Sequence, residues 1–291
     1  MTASGLGAAP ATTDLSAAEV RAHPWCDPVG MPSDYRGPHE LSRDGWVNFS
    51  RRLERREELS AIRATAAGHQ RVLDIGGGTG ELARAVAADL GRCTTVEPHR
   101  DRVAVLAADD GTSGTLEVHP GHAEALSLPD RSFDFVYAAW VLPYVDDVRA
   151  SVREIARVCD PSAPNAVVAI IGGAPDNELV GLLNRVCVPL ADEPADHQGL
   201  LLAVAAEELA GCGFPRFALQ RTESALHFPE PAVTDRVTAA STILADFWYA
   251  SHPQVAAMRR ALEPALEEHF ARRPFAVGDQ GVVLVARPEG T

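Results

Sequence analysis

The chain has 291 residues, 46% hydrophobic and 23% charged, enough for one large α/β domain with insertions or for two small ones. Its formal net charge is −14 and all 26 basic residues are arginine, so an acidic surface excludes nucleic acid as a partner. No segment approaches the roughly 18–20 uninterrupted apolar residues of a membrane helix, which argues against a membrane partner.

Residues 1–20 are expected to form a disordered tail. Met1–Thr13 is small and polar and lacks the basic-then-apolar order of a signal peptide, so a cytoplasmic location is expected. Residues 21–67 are expected to form an N-terminal lid. Proline and glycine punctuate Ala22–Pro38 around Trp25, Met31 and Tyr35, and a helix is predicted over Ser42–Ala67, with Trp46, Phe49, Leu53 and Ile62 near helical period. The charges of Arg51–Glu58 fit a solvated helix face.

From residue 68 to 291 the pattern is that of one α/β domain. Strand Val72–Ile75, helix Glu81–Leu90, strand Cys93–Val96 and helix His99–Ala108 lead to a turn at Asp109–Gly114 and a strand at Thr115–His119. Strand Phe133–Ala138, helix Asp147–Val158 and the unbroken apolar strand Ala166–Ile171 follow. Strands separated by helices require right-handed crossovers and a doubly wound sheet. Helices Asn177–Val188 and Leu200–Ala210, strand Phe217–His227, a helical pair Val233–Ala250 and Gln254–Arg272, and strand Gly281–Ala286 complete the chain. The pair makes a cap insertion at about residues 230–273. Five cysteines, none in C-x-x-C spacing, indicate neither a zinc site nor a disulfide frame, and no His/carboxylate cluster has metal-ligand spacing.

The chemistry begins where the first buried strand runs into Gly76-Gly77-Gly78-Thr79-Gly80 and opens a helix. Glycine has no Cβ, so backbone amides there can approach a nucleotide-like ligand. Glu97, at the end of the next strand and 21 residues past Gly76, is placed to accept hydrogen bonds from both hydroxyls of a ribose. The pattern predicts an adenosine-containing cofactor at the carboxyl edge of a parallel sheet. Gly78-x-Gly80-x-x-Ala83 also fits a relaxed dinucleotide fingerprint, which keeps a NAD-dependent oxidoreductase as the alternative.

Four segments together resemble the class I S-adenosylmethionine-dependent methyltransferases, in the small-molecule branch of methyltransferase-11/25 type. They are Val72–Gly80, Val96-Glu97-Pro98, Gly121–Pro129, and Ser132–Val136 through Leu142–Asp146. The resemblance implies a Rossmann-like, doubly wound, mostly parallel seven-stranded sheet with helical cap insertions. It implies S-adenosyl-L-methionine as cofactor, S-adenosyl-L-homocysteine as product, and a small-molecule substrate. Carried over by position, Gly76, Gly78 and Gly80 line the methionine and ribose part, and Asp74 orients the loop and meets the cofactor's amino group. Glu97 binds the ribose, Pro98 packs beside the adenine, His122, Ala123 and Glu124 frame the adenine edge, and Ala139 faces the methionine moiety. The chain departs from the family at His122, where aspartate is usual, and at Pro143-Tyr144, where relatives frequently carry histidine.

For the acceptor, Trp140, Tyr144 and Trp248 are candidate substrate-binding residues, with core packing as the bland reading for part of the Phe247-Trp248-Tyr249 run. His197, His227, His252 and Tyr249 are the candidate catalytic residues, a structural role being the ordinary one for any single histidine; His23 and His39 in the lid are further candidates. The expected activity is methyl transfer to an aromatic or heteroaromatic small molecule in bacterial specialised metabolism, such as antibiotic biosynthesis, by a monomer or homodimer. Methylation at carbon, nitrogen or oxygen stays open, and so does an inert relative that retains the cofactor site.

Overall fold

In the computed structural model, residues 12–26, 32–108 and 115–290 are described. The predicted turn Asp109–Gly114 and Met31 lie outside them. The first elements correct the expected tail. β1 (Thr12–Leu15) is a strand and α1 (Ala17–Arg21) a helix. Ser16 and Glu19 close a capping box, the Glu19 N–H donating to Ser16 Oγ and the Ser16 N–H to Glu19 Oε2. Val20 is fully buried in the main core. The capping box, the pairing of β1 with β8 and the burial of Val20 together order a segment whose composition is that of a tail.

The predicted helix Ser42–Ala67 is broken. α2 (Arg43–Ser50) stops at Arg51, and β2 (Leu53–Glu54) intervenes before α3 (Arg56–Ala66). Arg52 turns away to pair with Glu230 at 2.6 Å, while Leu53 and Glu54 pair with Leu226 and Ala225. The apolar period continues across the break, so periodicity alone does not reveal it.

The central sheet is built around strands buried on both faces, with a more exposed strand, Thr115–Pro120, at its edge. β3 (Val72–Ile75), β4 (Arg92–Glu97), β5 (Thr115–Pro120), β6 (Phe135–Ala139) and β7 (Val167–Gly173) are parallel, and every residue of β3 and β7 is buried. Helices α4 (Glu81–Leu90), α5 (Arg100–Ala108) and α6 (Val148–Val158) make the crossovers. Further along come α7 (Glu178–Val186), α8 (Val188–Ala191) and α9 (Gln198–Gly211). The predicted strand Phe217–His227 is two strands, β8 (Arg216–Thr222) and β9 (Ala225–His227). Thr222 pairs with Gly281 in the main sheet, whereas Ala225 pairs with Gly278 in a second sheet, so the chain changes sheets at Glu223-Ser224.

α10 (Val233–Tyr249) and α11 (Val255–Arg272) follow, then β10 (Ala276–Gly278) and β11 (Gly281–Arg287). Among the described residues the main sheet has the order β1-β8-β11-β7-β6-β3-β4-β5, eight strands against the seven expected, the additional one being β1. β11 is antiparallel to both β7 and β8. The small sheet has the order β10-β9-β2. Strand order reverses between β3 and β6, which opens a crevice at their carboxyl ends. A separate apolar cluster joins α2, α7, α10 and α11 above that crevice. Among the described residues, no helix is long and apolar enough to cross a membrane.

Candidate active site

β3 delivers the chain to the crevice at Ile75, and the glycine turn is tied to the neighbouring strand. The amides of Gly76 and Gly77 both donate to the Val96 carbonyl, at 2.8 and 3.1 Å. Gly77 is required by contact, because a Cβ there would run into Thr95 Oγ1. Gly78 is different: its φ is +55° and a Cβ would meet nothing closer than 3.8 Å. The space beside it is the cavity, of about 590 Å³, lined by Gly76, Gly77 and Gly78.

Glu97 is 1% exposed, and backbone fixes both its oxygens: Gly78 N–H donates to Oε2 at 2.8 Å and His99 N–H to Oε1 at 3.0 Å. Arg102 lies 3.8 Å from Oε1. Asp74, 3% exposed, accepts from the Thr95 hydroxyl at 3.1 Å. Burial pushes its pKa up to about 7, opposed by the Thr95 hydrogen bond and reinforced by the charge of Glu97. Two buried carboxylates and an open backbone cradle on one cavity wall suit a ligand that combines a cationic group with ribose hydroxyls, as S-adenosylmethionine does.

The cavity wall contains Asp74, Gly76, Gly78, Glu97, Pro98, His122, Ala123, Glu124 and Ala139. Gly80 is the exception among the predicted cofactor residues. It is the N-cap of α4 with φ +86°, off the cavity wall, and a Cβ there would strike Arg84. Glu124 also works as a brace, since its Oε1 accepts the Asp146 N–H at 2.8 Å.

Beyond β6 the backbone is strained. Trp140 has φ +59°, an outlier for a bulky residue. Its amide donates to the Ile171 carbonyl at 2.9 Å and its Nε1 to Glu58 Oε2 at 3.0 Å. Glu58 is completely buried, also accepts from Ser224 Oγ at 3.0 Å, and is held above the ordinary carboxylate range by desolvation.

Much of the remaining wall of the same cavity is aromatic. Trp46, Phe49, Trp140, Tyr144, Phe247 and Trp248 line it. Phe49 stacks on Phe247 at 3.9 Å, and Trp248 Nε1 approaches the Tyr144 hydroxyl at 3.4 Å. All three predicted substrate residues, Trp140, Tyr144 and Trp248, are on this wall. His39 stacks on Trp248, with ring centroids 3.6 Å apart and planes within 5°. Asp279 lines the cavity too, with one oxygen held by Asn177 Nδ2 at 2.7 Å and its pKa pushed by burial to about 6.

The predicted catalytic residues are elsewhere. His197 is the N-cap of α9, its Nδ1 accepting from the Leu200 N–H. His227 is exposed on β9, 3.6 Å from Glu54. His252 accepts from the Gln254 N–H in the turn between the cap helices, and Tyr249 donates to Glu193 at 3.3 Å. None of the four lines the cavity. Two polar residues that do, His39 and Asp279, come from the stretch before α2 and from the Gly278-Asp-Gln-Gly281 turn. That turn is a readable signal; nothing around His39 marks it. Among the described residues, no group of three or more His, Cys, Asp or Glu is placed to hold a metal ion.

A methyltransferase-domain family model matches residues 73–164. YcgJ of Bacillus subtilis, described as an uncharacterised methyltransferase, is 36% identical over 106 residues, 35% of this chain and 42% of that protein. The ubiquinone/menaquinone C-methyltransferase UbiE of Hydrogenovibrio crunogenus is 28% identical over 190 residues, 59% of this chain and 72% of that protein. An O-methyltransferase of Aspergillus nomiae is 31% identical over 197 residues, 65% of this chain and 80% of that protein. The solved structure of YcgJ shares the fold at a TM-score of 0.51 and 19% identity, covering 81% of this chain and all of that one. The family match takes in the glycine turn and Glu97, which displaces the dinucleotide alternative for them. The chain therefore belongs to the class I S-adenosylmethionine-dependent methyltransferases.

Proposed function

We propose that this enzyme methylates an aromatic or heteroaromatic small molecule, in bacterial specialised metabolism. The observation that carries the reading is the continuity of one cavity, from the glycine turn and Glu97 to a wall of tryptophan, tyrosine and phenylalanine. Flat apolar walls with few polar groups favour a flat, largely apolar acceptor. Relatives named for C-methylation in ubiquinone/menaquinone biosynthesis and for O-methylation accord with a carbon or oxygen acceptor.

Bound S-adenosylmethionine supplies a methyl group already activated by its sulfonium. The chain's own task is then to bind, align and exclude water. In this reading Glu97 holds the ribose, and Asp74 favours the cationic end. Gly76 and Gly78 offer backbone to the methionine moiety, while Pro98 and His122–Glu124 enclose the adenine. Residues 21–67 and the cap helices at about 230–273 close the acceptor side.

Three of the four tryptophans, Trp46, Trp140 and Trp248, line the cavity, so intrinsic fluorescence reports its occupancy. Calorimetry is expected to show S-adenosylhomocysteine binding, and 2-naphthol is expected to quench the tryptophans of that complex. No binding of S-adenosylhomocysteine, with tight binding of NAD instead, would overturn the reading.

A further inference from the structure

The acceptor pocket contains a histidine held in a way that packing does not require. His39 lies in the stretch before α2, its side chain 2% exposed, with its amide donating to the Pro143 carbonyl at 2.9 Å. One ring face is covered by Trp248 and an edge faces Tyr144, with ring centroids 6.4 Å apart. Its Nε2 lies 3.2 Å from Asp196 Oδ1, and Asp196 is itself 3% exposed. Asn184 clamps the Asp196 backbone on both sides, its Oδ1 accepting the Asp196 N–H and its Nδ2 donating to the Asp196 carbonyl, each at 2.8 Å.

This carboxylate is thus positioned by its own backbone, and its side chain is left for the imidazole. Its Oδ2 is buried without a partner, and Nε2 is close to Oδ1 but not aligned on it. Burying an imidazole and a carboxylate so loosely paired costs stability that an apolar pair would not. Contacts that serve proton transfer are often slack before the ligand binds and tighten afterwards.

We propose that His39, oriented by Asp196, is the catalytic base that removes the proton of an aromatic hydroxyl, making the enzyme an O-methyltransferase of phenol-like acceptors. The proposal rests on the methyl-transfer reading of the same cavity. Asp196 faces Nε2, which fixes the neutral tautomer with its proton there. Nδ1, with no hydrogen-bond partner among the described residues, keeps the lone pair, and His39 lines the cavity. Nδ1 takes the hydroxyl proton, and the O–H electron pair stays on oxygen. That oxygen forms the new O–CH3 bond, while the C–S pair is left on sulfur as a neutral thioether. The imidazolium beside Asp196 then returns its proton to solvent.

The charged groups facing His39 are Asp196 and Glu193 from the segment before α9, and Arg36 from its own stretch. Burial is the largest influence and lowers the imidazole's proton affinity, Asp196 and Glu193 raise it, and Arg36 lowers it. The ring is therefore neutral, and able to accept a proton, at neutral pH.

The test uses the full-length enzyme. Ring nitrogen NMR of 15N-histidine-labelled protein, with the His39 signals assigned by their loss in His39→Gln, is expected to show a neutral ring at pH 7 with its proton on Nε2. In Asp196→Asn the share of the Nδ1-protonated tautomer is expected to rise. A proton on Nδ1 in the wild type, or an imidazolium at pH 7, overturns the proposal. In turnover, His39→Gln is expected to lower kcat for 2-naphthol by about 100-fold or more, with KM within about twofold. 4-Nitrophenol at pH 8.5 is already ionised, and there the loss is expected to stay below about fivefold, since no proton remains to be removed. Equal losses on the two phenols, or faster transfer to anilines than to phenols in the wild type, also overturn it. If His39→Gln fails to fold, the His39 signals are assigned by their shift in Asp196→Asn, Asp196 lying 3.2 Å from Nε2, and the tautomer they report decides. Failure of S-adenosylhomocysteine binding in calorimetry sinks the methyl-transfer reading separately, whatever the tautomer.

Discussion

Replacing Asp74 with asparagine is expected to stabilise the unliganded enzyme at alkaline pH and to weaken its hold on the cofactor. Burial pushes the Asp74 carboxyl from the ordinary 3.8 up to about 7. The folded chain therefore keeps this proton over a range where the unfolded chain has lost it. The stability linked to the group is complete below about pH 4, declines as pH rises toward 7, and stays low above that. A gap of about 3 pH units at about 1.4 kcal/mol each limits the penalty to about 4 kcal/mol. Asparagine keeps an oxygen for the Thr95 hydroxyl, and the Glu97 charge remains, so a gain of about 1–3 kcal/mol at pH 8 is expected. For a chain of 291 residues that is a rise of about 2–5 °C in melting temperature. At pH 4 the difference is expected to vanish. Affinity for S-adenosylhomocysteine at pH 8 is expected to fall about tenfold, the worth of one charge-assisted hydrogen bond. Melting at pH 4 and pH 8, with calorimetry at pH 8, measures all three quantities. A variant that melts below the wild type at pH 8, or a difference that does not depend on pH, would refute the reasoning.

Gly77→Ala and Gly78→Ala are expected to separate folding from binding. The first drives a methyl into Thr95 and is expected to lower stability by about 2–4 kcal/mol in urea titration. The second costs only about 1–2 kcal/mol of left-handed strain yet abolishes S-adenosylhomocysteine binding in calorimetry. Glu58→Ala leaves Trp140 Nε1 and Ser224 Oγ without their buried acceptor and is expected to cost about 2–4 kcal/mol. Glu58→Gln, which keeps an acceptor without the buried charge, is expected to stay within about 1 kcal/mol of the wild type in the same titration. His227→Ala and His252→Ala, both remote from the cavity, are expected to leave methyl transfer to 2-naphthol within about twofold, as surface substitutions of small effect do.

The cofactor side was legible because it is local in sequence. Residues 72–146 alternate strand, turn and helix in register with the parallel sheet, and the bounds predicted for β3 and α4 match the structure. Gly80 was misplaced because the motif marks the whole turn, whereas only its first part, Gly76 to Thr79, borders the cavity. The acceptor side was poorly legible for the opposite reason. Its residues come from the stretch before α2 (His39), α2 (Trp46, Phe49), the loop after β6 (Tyr144), α10 (Phe247, Trp248) and the turn before β11 (Asp279). No period or spacing links such segments; tertiary packing alone brings them together. The histidines favoured from sequence lay in exposed or capping positions, where imidazole serves backbone donors instead of a substrate. The capping box at Ser16–Glu19 and the G-D-Q-G turn were readable signals of order that composition obscured.

On the proposed function, the two halves of the cavity differ in the kind of group each offers. At the end proposed for the cofactor, the wall combines Gly76, Gly77 and Gly78 with Asp74 and Glu97, both held by strand ends whose register is fixed by the sheet. Such a surface tolerates little substitution, because a Cβ either clashes, as at Gly77, or fills the cavity, as at Gly78. At the other end, Phe49, Phe247 and Trp248 are carried on α2 and α10, in a separate apolar cluster. Substitution there changes pocket shape without disturbing the main sheet, since that cluster buries its own core around Leu244, Met258 and Leu262. Trp140 joins the halves. It follows Ala139 at the end of β6, its strained backbone is pinned to β7 through Ile171, and its indole is anchored on α3 through Glu58. α3, packed on the main sheet through Ile62 and Ala66, is thus tied to the carboxyl end of β6 by one hydrogen bond. The strain at Trp140 is retained because the Glu58 anchor and the Ile171 carbonyl together over-determine its position.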